Sequence, residues 1–168
     1  MKIELKNIKF SEALSEETNA FVADVFVDNE KVAYAKNDGQ GGNTYYHAYL
    51  GKNKVVKAAE GFCEDLPCDI HGYKMDLEAM IDTLLEDWLE GRHQAKFDRK
   101  LKKDILTSLC VKTPNGYSQY TWKTNKGKAS IADMVGSVEG REMLQKAIAE
   151  AKAEGKEVLN TNIPQHLF

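Results

Sequence analysis

The stretch from Val32 to Leu50, VAYAKNDGQGGNTYYHAYL, sets the tightest limits on what this chain can fold into. Val32 and Tyr34 alternate with smaller or polar neighbours, the period of a half-buried strand. Asn37, Asp38 and Gly39 then tolerate positive φ and signal a turn. Gly41 and Gly42 extend the permissive backbone. Asn43 and Thr44 lead into a second strand. There Tyr45, His47 and Tyr49 share one face, and Tyr46 and Ala48 the other. Strand, glycine-rich loop, strand is the expected plan. The loop fits neither the dinucleotide fingerprint nor the phosphate-binding P-loop, because no Gly-Lys-Ser/Thr and no helix start follow it. Its N–H groups, beside Thr44, Tyr45 and His47, offer a place for an anion, a base or a partner's backbone. The same glycines also serve a long hairpin loop by geometry alone.

The strands before this stretch build an antiparallel sheet. Lys2 to Phe10 is the first. Ile3 and Leu5 lie on one phase and Ile8 and Phe10 on the other, which predicts a bulge or a strand end near Asn7. Ser11 to Thr18 is a polar surface connection. Asn19 to Asp28 alternates most clearly, with Phe21, Ala23, Val25 and Val27 on one face and Val22 and Phe26 on the other. Asp28-Asn29-Glu30 turns the chain into a third strand, Lys31 to Lys36.

Helices follow. Gly51 to Phe62 fits a short helix that Gly61 would weaken. Cys63 to Tyr73 reads as loop. After Asp76, a suitable cap, Leu77, Met80, Ile81, Leu84, Leu85, Trp88 and Leu89 recur at helical spacing. Gly91 is expected to end or bend this helix, and His93 to Lys103 to form another. Ile105 to Lys112 and Tyr117 to Thr124 predict a hairpin around Thr113-Pro114-Asn115-Gly116. Ser130 starts a short helix. Ser137 caps a longer one, with Met143, Leu144, Ala147, Ile148 and Ala151 as its apolar side, stopped by Gly155. Glu157 to Ile163 is a short tail strand or extended segment before Pro164.

The expected fold is α+β. An N-terminal antiparallel sheet is packed by an amphipathic helix, with a second hairpin and C-terminal helices. The 168 residues fit a single domain over 1–168, with sub-units 1–91 and 92–168. A hydrophobic content of 42% supports a core. The net charge of −3 argues against strong overall attraction to nucleic acid. Three cysteines argue against a disulfide framework. The charged start, MKIELKNIKF, is not the apolar core of a signal peptide, and no apolar run is long enough for a membrane span. A soluble protein of a reducing compartment is the expectation.

Charge is unevenly spread. From Glu64 to Glu90 there are nine acids and one base, and from Gly91 to Lys128 ten bases and two acids. Two oppositely charged helices could attract each other side by side. Alternatively, Arg99, Lys100 and Lys103, with Tyr117, Tyr120 and Trp122 on the hairpin, could bind single-stranded nucleic acid: lysines hold phosphates while bases stack on rings.

Chemical sets are sparse. Cys63, Cys68 and His71 form C-x4-C-x2-H, a loose zinc-like spacing to which His47 could add a ligand; coincidence is the better account of it, and no metal is expected. Asp82, Glu86 and Glu90 lie one helical turn apart, off the apolar stripe, and are expected to face solvent. No catalytic set emerges, and no cofactor is implied.

The segments IELKNIKFSEALSEETNAFVADVFVDNEKVAYAKNDGQGGN, FDRKLKKDIL and VLNTNIP, in this order, resemble a family of small uncharacterised proteins of tailed phages and prophages. The family's opening has a strand, an S-E-E-T connection, a V-D-G/N hairpin and an N-x-G-x-G-G loop. The resemblance implies a phage or prophage origin and action in the host cytoplasm. It transfers no activity and no catalytic residues. Three functions are expected from all this. The first is a non-catalytic accessory protein that binds a host or defence-system protein through the Asn37–His47 loop. The second is a single-stranded nucleic-acid-binding protein. The third is a nucleotide-like small-molecule binder or enzyme using the loop and His47.

Overall fold

A computed structural model describes residues 1–68, 72–124 and 127–168. Its described part is α+β and falls into two compact units, Met1–Gly91 and Arg92–Phe168.

The first unit is built on a four-stranded antiparallel sheet in sequence order: β1 (Ile3–Phe10), β2 (Phe21–Val27), β3 (Glu30–Asn37) and β4 (Tyr45–Ala48). The phase change read in the first strand is a bulge: the β1–β2 register shifts between Lys6 and Lys9, and Asn7 takes φ 54°. Asp28 and Asn29, both at positive φ, make the two-residue turn between β2 and β3. Such a turn carries the twist of the flanking strands. A second shift leaves Val32 as an extra residue, so Val32 and Ala33 are both buried.

One face of this sheet is dry. Phe21, Ala23, Val25 and Val27 meet Val56, Ala59 and Cys63 of α1 (Asn53–Glu64) and Leu77, Ile81, Leu85 and Leu89 of α2 (Leu77–Asp104). A fully buried side chain such as Ile81 or Leu85 stabilises by roughly 1.5–3 kcal/mol. Gly61 does not end α1: the helix runs through it to Glu64 and carries Cys63, expected in a loop, into the core. Asp76 caps α2 as expected, accepting the Ala79 N–H at 2.8 Å.

Gly91 neither ends nor bends the next element into two. α2 continues for 28 residues, and the expected second helix at His93–Lys103 is its C-terminal part. The acidic and basic blocks therefore lie end to end on one helix, and the expected side-by-side attraction does not arise. The order suits the helix dipole, with Glu78 in the first turn and Lys102 and Lys103 in the last.

The second unit pairs β5 (Leu109–Thr113) with β6 (Gly116–Tyr120) across Pro114-Asn115. Ile105 follows directly on α2, its N–H donating to the Leu101 carbonyl, and the strand starts four residues later than expected. A small ladder of β7 (Lys123–Thr124) and β8 (Gly127–Lys128) follows. Ser130 and Asp133 form a capping box on α3 (Ile131–Gly136), and Ser137 caps α4 (Val138–Ala153) by accepting the Gly140 N–H. Leu144, Ala147, Ile148 and Ala151 are buried with Leu109, Val111, Ile131 and Met134, while Met143 stands exposed and outside the core. The tail adds an isolated bridge, Val111 to Val158.

Candidate functional site

Asn37 shapes the glycine-rich loop from inside. Its side chain is buried and saturated. Oδ1 accepts from the Gly39 N–H and the Thr18 hydroxyl, both at 2.8 Å. Nδ2 donates to the Gly42 carbonyl at 2.9 Å and to Thr44 Oγ1 at 3.3 Å. The Gly39 carbonyl accepts three N–H groups, from Glu16, Glu17 and Thr18. Gly39 has φ 86°, and a Cβ there would sit 2.1 Å from the Leu14 carbonyl oxygen. Its glycine is required by geometry.

Three of the loop's N–H donors are spent within the chain. The Gly39, Gly41 and Thr44 N–H groups go to Asn37, Thr18 and Glu78 respectively. The Thr44 hydroxyl donates to Asp82 Oδ1 at 2.6 Å. The loop therefore clasps the start of α2 and does not present a cradle of free N–H groups at these positions. Asn37, Gly39 and Thr44 are buried, whereas Asp38, Gly41, Gly42, Asn43, Tyr45 and His47 are exposed.

Between loop and helix lies a cleft of about 320 Å³ lined by Glu17, Thr18, Asn43, Thr44, Glu78, Asp82 and Glu86 among others. Asp82, expected in solvent, is half-buried here, Glu86 is exposed but lines the cleft, and Glu90 is exposed. Burial raises the Asp82 carboxyl above its ordinary value, and the charges of Glu78, Glu86 and Asp76 raise it further against the Thr44 hydrogen bond. An acidic rim of this kind repels phosphates, which weighs against the loop as a nucleotide cradle.

The other face of the sheet is open, and strand register decides what stands on it. Val22 lies opposite Lys36, Asp24 opposite Tyr34, and Tyr34 opposite His47, with Tyr45 opposite Lys36. Lys6 and Lys9 flank this row from β1, across from Asp24 and Val22. The rings touch: Tyr34 lies 5.3 Å from His47 and 6.2 Å from Tyr49. Lys31 sits over the Tyr49 ring at 4.8 Å and Lys6 over Phe26 at 4.6 Å. Asp24 anchors the group, accepting from Asn7 Nδ2 and the Tyr49 hydroxyl, both at 2.8 Å, and pairing with Lys31 at 2.9 Å. Its burial opposes ionisation, but these partners outweigh it and lower its pKa. Tyr45 keeps 57% of its surface exposed and Val22 49%. Tyr46, on the opposite phase, turns inward and donates to Glu60 at 2.9 Å.

The residues first read as a nucleic-acid surface are placed differently from one another. Arg99, Lys100 and Lys103 are exposed on α2. Lys100 lies 5.8 Å from the Tyr117 ring, which also packs edge-on against Phe97 and donates its hydroxyl to Asp104 at 2.7 Å. Tyr120 and Trp122 are half-buried against the second core and line a cleft with Met143, Lys146 and Glu150 of α4; none of the three α2 cations lines it. The zinc-like set is not assembled in the described residues. Cys63 is fully buried, its thiol pKa raised by burial, Cys68 is exposed, and His71 lies outside the described residues. Among the described residues, no group of three or more His, Cys, Asp and Glu side chains is arranged to hold a metal ion. Likewise, no helix of the described residues is long and apolar enough to cross a membrane.

Asn160 is the structural residue that sequence reading passed over. Buried in the tail, it accepts the Cys110 N–H at 2.7 Å and donates to the Ile105 and Ser108 carbonyls. The signal was faint: an asparagine in a short mixed tail, between Val158-Leu159 and Thr161-Asn162. Compared with known protein families, curated proteins and solved structures, the chain matches none of them.

Proposed function

We propose that this chain is a non-catalytic binding protein, an accessory protein of the tailed-phage and prophage type that acts in the host cytoplasm by attaching to a host or anti-phage-defence component. The observation that carries the reading is the open face of the sheet. Its opposite face is covered by two helices, yet this one leaves Tyr45, His47 and Val22 in solvent beside Tyr34 and Tyr49. Contiguous exposed rings and aliphatic groups of this kind mark interaction surfaces. The binding surface moves accordingly from the whole Asn37–His47 loop to its outer strand and the adjoining sheet. Asn37, Gly39 and Thr44 hold the loop's shape, and Asp38, Tyr45 and His47 are its accessible groups.

The test is capture of partners from bacterial lysate by the tagged full chain and by its Tyr45→Ala/His47→Ala form. A stoichiometric partner lost from the double variant, with unchanged circular dichroism, supports the reading. A partner held equally by both forms removes the sheet face from it.

A further inference from the structure

The open sheet face has a chemistry of its own. Its rings, Tyr34, Tyr45, His47 and Tyr49, lie together on β3, β4 and the residue just beyond. Four lysines share the face: Lys6 and Lys9 from β1, Lys31 and Lys36 from β3. The carboxylates on it are Glu4, paired with Lys2 and Lys6, and Asp24, paired with Lys31; Lys36 also reaches Asp38 at the strand end, at 3.5 Å. Lysines thus outnumber the two strand carboxylates on the face of a chain whose overall charge is −3. The basic residues run along both sides of Val22 and Tyr34, and the most exposed ring, Tyr45, stands at the outer strand. Tyr45 and His47 are two residues apart on one strand, hence about 6.8 Å apart on one face. Bases of an extended strand can stack at such intervals while its phosphates cross the lysines.

We infer that the open face of the β1–β4 sheet binds single-stranded nucleic acid, with Tyr45 and His47 stacking bases and Lys9 and Lys36 holding phosphates. The inference rests on the reading of this face as the binding surface and names its ligand. It also places the nucleic acid on a different part of the chain from Arg99, Lys100 and Lys103. A duplex is a poor fit because its bases are not free to meet the rings. Ribose or deoxyribose is left open by rings and lysines alone, and the two are separated by experiment.

Fluorescence anisotropy of the full chain is measured with labelled oligo-dT and oligo-U of about a dozen nucleotides and with a duplex of the same length. Single strands should bind more tightly than duplex. For a single strand, affinity should fall between ~50 and ~200 mM salt by about 7-fold for two phosphate contacts and about 50-fold for four. Tyr45→Ala/His47→Ala should weaken binding about tenfold or more, and Tyr45→Phe should retain it. Lys9→Glu/Lys36→Glu should lower both the affinity and the salt slope. A preference for oligo-U or for oligo-dT assigns RNA or DNA. No binding at ~50 mM salt overturns the inference. So does binding that the sheet variants leave intact and Arg99→Ala/Lys100→Ala/Lys103→Ala abolishes. The lysate capture, repeated with nuclease, separates the two levels. A nuclease-resistant protein partner that needs Tyr45 and His47, without oligonucleotide binding, refutes the ligand and keeps the surface. Neither partner nor oligonucleotide refutes both.

Discussion

Two polar side chains of the first unit, Asn37 buried and Asp82 half-buried, make opposite contributions. Asn37 bonds four groups at once, and its removal takes a partner from the Gly39 N–H, the Thr18 hydroxyl and the Gly42 carbonyl, while the Thr44 hydroxyl keeps Asp82. Asn37→Ala should therefore cost about 2–3 kcal/mol, read as a shift in denaturant midpoint at constant m-value. Asp82 works the other way. Because its folded pKa is raised, the folded chain holds this proton more tightly than the unfolded chain does. Stability linked to it is gained as pH falls from the folded toward the unfolded pKa, and is absent above the folded pKa. Asp82→Asn keeps an oxygen for the Thr44 hydroxyl and removes the charge. It should raise Tm at neutral pH, with the difference shrinking in acid; an unchanged or lower Tm at neutral pH would show that the carboxylate is better solvated than its surroundings imply.

At the scale of elements, α2 holds the clearest lesson about legibility. Asp76, Ser130 and Ser137 were readable as caps because capping is a local bond between a side chain and an N–H a few residues on. The bulge at Asn7 and the turn at Asp28-Asn29 were readable for the same reason, from phase and from residues that accept positive φ. Gly91 misled because a glycine inside a helix costs only about 1 kcal/mol against alanine, and good helix formers on both sides offset it. Gly91 is exposed and has open space where a Cβ would stand. Gly91→Ala should therefore stabilise the chain by up to about 1 kcal/mol, measured by urea unfolding, without altering the far-ultraviolet spectrum. The site was less legible than the fold. Tyr45, His47 and Tyr49 could be put on one face from their period, but their meeting with Tyr34 and the lysines depends on register between strands. The Thr44–Asp82 bond joins residues 38 positions apart, and nothing local announces it.

At the scale of the whole molecule, two units with separate cores share one chain and one helix. Each contains one tryptophan, Trp88 in the first and Trp122 in the second, each packed against its own core. Unfolding followed by fluorescence of Trp88→Phe and Trp122→Phe should give distinct midpoints, since two cores need not melt together. Asn160→Ala should lower the transition reported by Trp122 more than the one reported by Trp88; a single shared midpoint would show that the units melt as one. The clasp of the glycine-rich loop has a consequence for the order of events in folding. The β2–β3 hairpin closes over two residues, whereas the Thr44–Asp82 bond closes only after α2 has docked on the sheet. Long closures come late because their entropy is paid before their contacts form. The clasp should thus be a latch that sets how fast the native chain opens, leaving the speed at which it first assembles nearly untouched.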